Sequence, residues 1–314
     1  MLSKSNLRML LPAVLVVVTF GLLYAKTPSF LSLSNIGNVM SFTSLIAIPA
    51  MGLAIVMLTG MFDLSFVGVI GLSSVLTSYL LQNGVPVLIC LVAALALCLA
   101  CGLLNSFLIV NMKIHPWLTT IATMLMLLGL EKFISKGNYV PAPSPLFDAI
   151  RFGSFLDIPA ALWIVFATLA VVLVVMHTTP YGGYLYAVGG NIEAAKKAGL
   201  KVKWIQYAAF LAMGGLCWVS SVLYLGQLSG YPSESAYINQ LSVILAVYFG
   251  LAISRKNVVN VLGAFVGALY VGFLANGLGL MGVQSYWIKM VEGVLVIFVV
   301  LGNSILRGDI VTYE

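Results

Sequence analysis

Charged residues are scarce in this sequence. They make up 8% of its 314 residues, against about 25% in a typical soluble domain. Hydrophobic residues account for 61%, so a soluble globular fold is excluded. The apolar runs are continuous rather than alternating, which excludes a membrane β-barrel. The chain is therefore predicted to be an all-α integral membrane protein.

Cysteine and histidine are also rare. The four cysteines all stand in apolar runs and are Cys90, Cys98, Cys101 and Cys217, so no disulfide framework is predicted. Cys98 and Cys101 form a C-x-x-C pair, but the surrounding VAALALCLACGLL holds no charge and no histidine. Packing of small side chains is favoured there over a metal or redox site. We expect neither a metal site nor a catalytic residue in this chain.

Two further motifs are missing. No G-x-x-x-x-G-K run followed by Ser or Thr is present, so we expect that this chain does not hydrolyse ATP itself. The net charge is +6, but no basic run is interleaved with aromatic residues, and no nucleic-acid partner is expected. Lysines and arginines of membrane proteins gather in cytoplasmic loops, which accounts for the surplus.

About ten apolar runs are long enough to cross a membrane, and they lie at 9–25, 41–60, 66–82, 86–110, 116–134, 159–177, 205–225, 239–253, 259–280 and 287–304. The first follows Lys4 and Arg8 as in a signal peptide, but its length favours an uncleaved helix. With the N-terminus inside, ten of the fifteen lysines and arginines fall on the cytoplasmic side. Both termini are therefore predicted to be cytoplasmic.

The stretch GGNIEAAKKAGLKVKW, residues 189–204, falls in the largest predicted cytoplasmic loop. It predicts a short helix over 192–198. Asn191 can cap its N-terminus, Glu193 in the first turn and the lysines in the last turn suit the helix dipole, and Gly199 suits the left-handed residue that ends a helix. A helix this short is marginal alone, so something must dock on it.

Two interpretations of this helix are open. It could be a turn helix that rests on its own membrane domain, or a coupling helix inserted into a groove on a partner protein. For the second interpretation, small residues expected to be exposed would allow close approach, namely Ala194, Ala195 and Ala198. The preceding YGGYLYAVGG is expected to supply aromatic anchors and glycine hinges.

The loop resembles the cytoplasmic loop of the ribose-type ABC importer permeases, which include galactoside and autoinducer-2 systems. The family pattern is Y-G-x-x-x-x-A-x-G-G-N-x-x-A-A-x-x-x-G followed by Ile or Leu, and it is matched by Tyr181, Gly182, Ala187, Gly189, Gly190, Asn191, Ala194, Ala195, Gly199 and Leu200. Four further matching stretches follow the family order: LTGMFDLSFVGVIGLSS at 58–74, GLLNSFLI at 102–109, HPWLTTIATMLMLLGL at 115–130 and ANGLGLMGVQSYW at 275–287. Three places depart from it: Phe62 replaces the usual Ile, Gly183 stands where the family often has Arg, and FGLAISRKNVVN at 249–260 replaces a glycine-rich run.

The resemblance implies a multi-pass permease of the bacterial cytoplasmic (inner) membrane, with residues 1–314 forming a single transmembrane domain. It implies that the loop 181–204 binds a separate cytoplasmic ABC ATPase through Tyr181, Gly182, Gly189, Gly190, Asn191, Glu193, Ala194, Ala195 and Gly199. Other implied partners are a periplasmic or extracellular solute-binding protein, a second permease copy (identical or paralogous) and membrane lipid. No cofactor is expected in this chain, because ATP and Mg would be bound by the ATPase. The solute would be a sugar or a sugar-like small molecule.

Four polar residues within or beside the spans are candidates for the translocation path. Asp63 could cap the following helix together with Ser65, or it could contact the solute directly. A helix break at membrane depth must be buried or line a cavity, so either role places Asp63 near the path. Asn105 and Asn276 could make hydrogen bonds between helices or line the pore.

An alternative function is that of a secondary transporter driven by an ion gradient. It would need carboxylates or histidines within the spans, and the candidates are Asp63 and Glu292. Lys289, three residues before Glu292, is expected to pair with it. Glu131 and Lys132 are expected to mark the outer end of the fifth helix.

Overall fold

A computed structural model describes residues 4–156, 158–254 and 258–307, and within them the side chains of residues 12–302. In chain order the helices are α1 (Lys4–Lys26), α2 (Leu33–Met57), α3 (Phe66–Gln82), α4 (Val87–Ser106), α5 (Pro116–Ser135), α6 (Pro145–Phe152), α7 (Ala160–Thr178), α8 (Pro180–Gly190), α9 (Ile192–Lys197), α10 (Val202–Leu228), α11 (Ser235–Ile238), α12 (Gln240–Ala252), α13 (Val261–Leu280) and α14 (Ser285–Arg307). A 3₁₀ turn (Pro28–Leu31) precedes α2, and a π-helical turn (Phe107–Asn111) continues α4. The two-residue strands are β1 (Val140–Pro141), β2 (Ser154–Phe155), β3 (Ile158–Pro159) and β4 (Gly230–Tyr231).

The ten predicted spans all fall on helices. Among the described residues, eight helical stretches are long and apolar enough to cross a membrane, and two shorter apolar helices lie at Pro12–Lys26 and Phe66–Gln82. An all-helical membrane protein is therefore confirmed, whereas ten crossings and cytoplasmic termini stay predictions. Arg255 and Lys256, which entered the charge count behind the predicted orientation, lie outside the described residues.

The chain forms two compact units. The first contains the described parts of Met1–Ala50 and Leu241–Glu314, and small residues bring its helices α12 and α13 close together. A Cβ atom at Gly267 would lie 1.9 Å from the carbonyl oxygen of Ala246. A Cβ atom at Gly250 would lie 2.2 Å from the carbonyl carbon of Gly263. Close backbone approach through small residues is the usual means of packing helices in a membrane.

The second unit is Met51–Gln240, and α3 lies at its centre. Every residue from Phe66 to Val75 is buried, and α3 packs against α4, α5 and α10. Helices α4 and α10 also approach closely, because a Cβ atom at Gly214 would lie 2.6 Å from the carbonyl oxygen of Cys98. Cys98 and Cys101 are buried free thiols beside this contact, as expected for small packing residues.

Short strands close one end of the second unit. β1 pairs antiparallel with β4, and β2 pairs antiparallel with β3. β1, α6, β2 and β3 lie between α5 and α7, and β4 directly follows α10. The loop 181–204 follows the other end of α7 and therefore lies at the opposite end of this unit.

Glu131 and Lys132 differ in environment, although they are neighbours at this end. Glu131 is fully buried, and its Oε1 accepts from the Ser233 hydroxyl at 2.8 Å and from the Glu234 amide at 3.1 Å. Lys132 is exposed and forms an ion pair of 2.7 Å with Glu234. Both residues stand near the end of α5, as expected, and Glu131 also ties α5 to the segment before α11.

Candidate functional site: the loop 181–204 and a buried polar chain

The segment before the short loop helix is itself a helix. α8 begins after Thr179, whose side chain accepts a hydrogen bond from the amide of Tyr181 at 3.3 Å. Two of its four glycines, Gly182 and Gly189, allow close packing. A Cβ atom at Gly182 would lie 1.9 Å from the carbonyl oxygen of Met176, and one at Gly189 would lie 2.0 Å from that of Leu58. The expectation of glycine hinges is thus wrong for Gly182 and Gly189, and it stays a prediction for the other two glycines.

The short helix α9 begins as the sequence predicted. Asn191 has extended backbone, and its side-chain oxygen accepts a hydrogen bond from the amide of Ala194 at 2.9 Å. Glu193 stands in the first turn and forms an ion pair of 2.6 Å with Lys196 in the last turn. The N-cap and the favourable helix-dipole charges are therefore both present.

The C-terminus of α9 is closed by a left-handed residue. Gly199 has φ +81°, and its amide donates to the carbonyl of Lys196 at 2.9 Å. The next amide, that of Leu200, donates to the carbonyl of Ala195 at 3.1 Å. These two bonds form a Schellman motif, which confirms the predicted role of Gly199 and ends α9 one residue earlier than predicted.

One face of α9 is seated on the chain, and the rest is open. Ala195 is only 4% exposed, and α9 contacts α8 and α10. The expectation that Ala195 is exposed is wrong, because its methyl group is buried where α9 packs on its own chain. Ala194 and Ala198 are exposed as expected, and the Glu193 side chain is 72% exposed. The helix thus rests on its own domain and still presents an open face.

Other residues of the family pattern have distinct environments. Tyr181 is half-buried; its hydroxyl is buried without a hydrogen-bond partner in the described part of the chain. Burial raises the pKa of the Tyr181 phenol above its ordinary value. Gly183 and Gly190 are exposed and face open space, so a larger side chain at Gly183 would fit. The replacement of the family Arg by Gly183 therefore removes a side chain from the surface, and it is not needed to avoid a steric clash.

A chain of buried hydrogen bonds joins three of the four path candidates. Asp63 Oδ1 accepts from the Ser65 amide at 2.7 Å and from its hydroxyl at 2.6 Å. Asn105 donates to the Ser65 hydroxyl oxygen at 2.8 Å, and Thr123 donates to the side-chain oxygen of Asn105 at 2.8 Å. The turn before α3 is thereby connected to α4 and α5. We call this set the buried polar chain.

The structure corrects one detail of the predicted cap at α3. Ser65 occupies the N-cap position, but its side chain makes no capping bond to the helix. Asp63 holds Ser65 from the preceding turn instead. Thr123 was not a predicted site residue, although its position in the polar stretch HPWLTTIATM could have signalled it.

Asn276 belongs to the first unit and is not part of this chain. Its side-chain oxygen accepts a hydrogen bond from Asn35 at 2.8 Å, and Asn35 also donates to the carbonyl of Phe30 at 2.7 Å. Both predicted asparagines therefore make hydrogen bonds between helices, the first of the two roles considered for them.

Phe62, which replaces the usual family residue, stacks on Trp117. The ring centroids are 5.0 Å apart, and the planes differ by 14°. A cavity of about 420 Å³ lies beside this pair, lined also by Gly60 and His115. The substitution thus places an aromatic wall next to the turn that carries Asp63.

Glu292 forms the expected ion pair in the first unit. Its Oε2 accepts from Lys289 at 3.0 Å and from the Ser242 hydroxyl at 2.8 Å, and Lys289 also donates to Ser242 at 2.8 Å. Glu292 and Ser242 are fully buried. The three groups connect α14 to α12.

Comparison with known proteins bears on these features. The sequence profile of the family described as "Branched-chain amino acid transport system / permease component" matches residues 35–300. The chain is 28% identical over 292 residues to the ribose import permease protein RbsC of Escherichia coli, covering 92% of this chain and 91% of that protein. The ribose import permease of Bacillus subtilis is 29% identical over 276 residues, with coverage of 87% and 86%. The autoinducer 2 import system permease LsrC of Photorhabdus laumondii is 24% identical over 302 residues, with coverage of 96% and 91%. The resemblance to ribose-type permeases is thereby confirmed, and no solved structure matches the chain.

Proposed function

The chain belongs to the family of branched-chain amino acid transport system permease components, and we propose that it is the permease subunit of a binding-protein-dependent ABC importer. Relatives named for ribose and autoinducer 2 support a sugar or sugar-like small solute. The path candidates are neutral polar groups apart from Asp63, in keeping with an uncharged solute. Asp63, Ser65 and Asn105 would line or support the path in the second unit, and Asn276 would do so in the first.

The proposal includes the surroundings of the chain. One membrane domain spanning 1–314 would cross the bacterial cytoplasmic membrane about ten times, with both termini inside. It would pair with a second permease copy, identical or paralogous, and receive solute from a periplasmic or extracellular binding protein. A cytoplasmic ATPase would hold ATP and Mg, and the permease itself would need no cofactor.

The observation that carries the proposal is the geometry of α9. A helix of six residues cannot persist alone. Here the cap at Asn191 and the Schellman motif at Gly199 provide hydrogen bonds at its two ends. The face of α9 that carries Ala195 packs against its own chain, whereas Glu193, Ala194 and Lys197 are exposed. A rigid, capped helix with an open small-residue face is suited to insertion into a groove on the ATPase.

The contacts of α8 suggest how movement of α9 would reach the path. α9 packs on α8, and Gly189 of α8 lies against the backbone of Leu58. Five residues after Leu58 comes Asp63, the first member of the buried polar chain. Closure of two ATPases would shift α9 and α8 together, and the turn at Leu58 would transmit the shift to the start of α3.

An uptake assay tests the class of transporter. The full chain is reconstituted in vesicles with its ATPase and binding protein, and solute uptake is measured with ATP or with an ion gradient. ATP-dependent uptake that also requires both partners is expected. Uptake driven by an ion gradient without the ATPase would support the secondary transporter instead and overturn the proposal.

A matched pair of variants tests the docking face. Ala194→Trp places a bulky side chain on the open face of α9, and Ala149→Trp does the same on α6 at the opposite end of the unit, where Ala149 is also exposed. Loss of ATPase from the purified complex is expected for Ala194→Trp alone. Equal ATPase retention by the two variants would contradict docking at α9.

A further inference from the structure

One face of α10 borders two cavities of the second unit. A cavity of about 530 Å³ lies between α7 and α10, and a second of about 390 Å³ lies where the loop 181–204 meets α10. Their α10 linings share a spacing of three or four residues and include Trp204, Ala208, Ala212, Gly215 and Val219, and Lys201 lines the second cavity directly before the helix. Residues so spaced lie on one helix face, and Tyr181 lines both cavities. The two cavities therefore adjoin at Tyr181, and together they are here called the α10 groove.

The longer part of the groove is an apolar slot. Its only polar lining groups belong to Thr168, Tyr181 and Trp218. The Thr168 hydroxyl donates to a carbonyl of its own helix, and the Trp218 indole donates to the carbonyl of Leu91. The slot borders α7, whose outer face carries exposed residues such as Val171, and it therefore opens towards the surrounding hydrocarbon.

The length of the slot matches one leaflet of a bilayer. Its lining on α7 runs from Ala167 to Met176, a rise of about 14 Å, and half of a hydrocarbon core is about 15 Å. Apart from Tyr181 at its end, the slot offers a polar solute no side-chain group free to form a hydrogen bond. An acyl chain makes no hydrogen bonds in any environment, so it would fill the slot without losing a hydrogen bond.

The other end of the groove has interfacial and basic character. Trp204 is 72% exposed, and tryptophan and tyrosine are enriched at the membrane–water boundary. The stretch 191–204 holds four lysines against one glutamate. Within the described ranges, no carboxylate lies at ion-pair distance from Lys201 or Lys203. This end therefore attracts an anion at the level where lipid headgroups lie.

Tyr181 lines both the slot and the basic end, and its hydroxyl is the group of interest. It is buried, and in the described part of the chain it has no hydrogen-bond partner. Buried hydroxyls are nearly always bonded, so this group points to an acceptor supplied by a ligand. An ester carbonyl lies at that level in a phospholipid, between the acyl chain and the phosphate.

We propose that the α10 groove binds one anionic phospholipid. Its acyl chain lies between α7 and α10, an ester carbonyl accepts from Tyr181, and its phosphate lies at Lys201 beside Trp204. The lipid would brace α8 and the start of α10, the two elements on which α9 is seated.

Thermal unfolding of the purified full chain in non-ionic detergent tests the slot. Added phosphatidylglycerol should raise the Tm saturably and more than phosphatidylcholine, because a ligand that binds only the folded state stabilises it. Gly215→Leu should fill the slot without a clash, since a Cβ atom there meets nothing within 4 Å. In this variant, the concentration of phosphatidylglycerol needed for half of the Tm increase should be about tenfold higher than in the wild type. Gly129→Leu, on an exposed and equally open position of α5, is the control and should respond as the wild type does.

A second pair of variants tests the headgroup end. Each lysine near anionic lipid is worth about fivefold in affinity, so Lys201→Gln should weaken binding of phosphatidylglycerol by that factor and leave phosphatidylcholine unaffected. Lys113→Gln, at an exposed lysine outside the groove, should change neither. Equal responses of the wild type to the two lipids would overturn the proposal, as would a wild-type response in Gly215→Leu.

Photolabelling gives an answer even where a variant fails to fold. Phosphatidylglycerol with a diazirine in its acyl chain should label peptides of α7 and α10 in the wild type, well above those of α5. Labelling no stronger than on α5 would refute the assignment. If the groove instead holds a segment of the ATPase, Gly215→Leu will weaken ATPase retention without changing the lipid response, and the lipid assignment falls.

Discussion

Asn105→Leu and Thr123→Val together test whether the buried polar chain holds α4 and α5 to the turn before α3. Asn105 donates to Ser65 and accepts from Thr123 through bonds that are both 2.8 Å long. Asn105 is fully buried, so water cannot replace either bond. Each substitution alone abolishes the bond between the two side chains.

The expected magnitudes follow from the number of bonds. A hydrogen bond between membrane helices contributes about 0.6 kcal/mol on average and up to about 1.7 kcal/mol. Thr123→Val should therefore lower the free energy of unfolding by about 1 kcal/mol, and Asn105→Leu by about 1–3 kcal/mol because it loses two bonds. The double variant loses the shared bond only once, so it should fall short of additivity by about 1 kcal/mol.

Unfolding by SDS in mixed micelles measures these differences. The control is Thr77→Val, because the Thr77 hydroxyl bonds a carbonyl of its own helix at 2.8 Å and shares no partner with Asn105. Thr77→Val should add independently to Asn105→Leu. Additivity of Asn105→Leu with Thr123→Val would refute the bond between them.

Three further outcomes are expected. Gly189→Ala should lower the free energy of unfolding in SDS by about 1–3 kcal/mol, because its Cβ would collide with a backbone carbonyl. Gly190→Ala should not lower it, because Gly190 faces open space. Equal effects of the two substitutions would count against close packing of α8. Asn191→Ala should cost about 1 kcal/mol and speed hydrogen exchange of the α9 amides, and unchanged exchange would show that the cap is dispensable. Lys289→Met should destabilise the chain by about 3–5 kcal/mol because it leaves the buried Glu292 carboxylate without its cation. A second change, Glu292→Gln, should restore much of the loss; no recovery would argue against the ion pair.

Much of the architecture was predictable, because local chemistry decided it. The ten apolar runs became helices, and the cap at Asn191 and the left-handed Gly199 were both readable from sequence. These features depend on neighbours within a few residues. The expected pairing of Lys289 with Glu292 was readable for the same reason, since three-residue spacing places both on one helix face.

The errors arose where distant segments meet. Ala195 looks the same as Ala194 in the sequence, and only the packing of α9 on α8 and α10 shows which of them is buried. The sequence does not show that Gly189 is a packing residue, because its close approach to Leu58, more than a hundred residues earlier, leaves no local signal. Glu131 is buried because the segment before α11 folds over it, which a charge at a helix end does not predict.

Cross-linking between α9 and the ATPase tests the coupling proposal most directly. All four native cysteines are buried, so Ala194→Cys would supply the accessible thiol on α9, and Ala149→Cys would supply one at the opposite end of the unit. With a short thiol-to-amine reagent, Ala194→Cys should cross-link the permease to its ATPase in the assembled complex, and Ala149→Cys should not. Absence of a cross-link from Ala194→Cys in a complex that still contains the ATPase would contradict docking at α9.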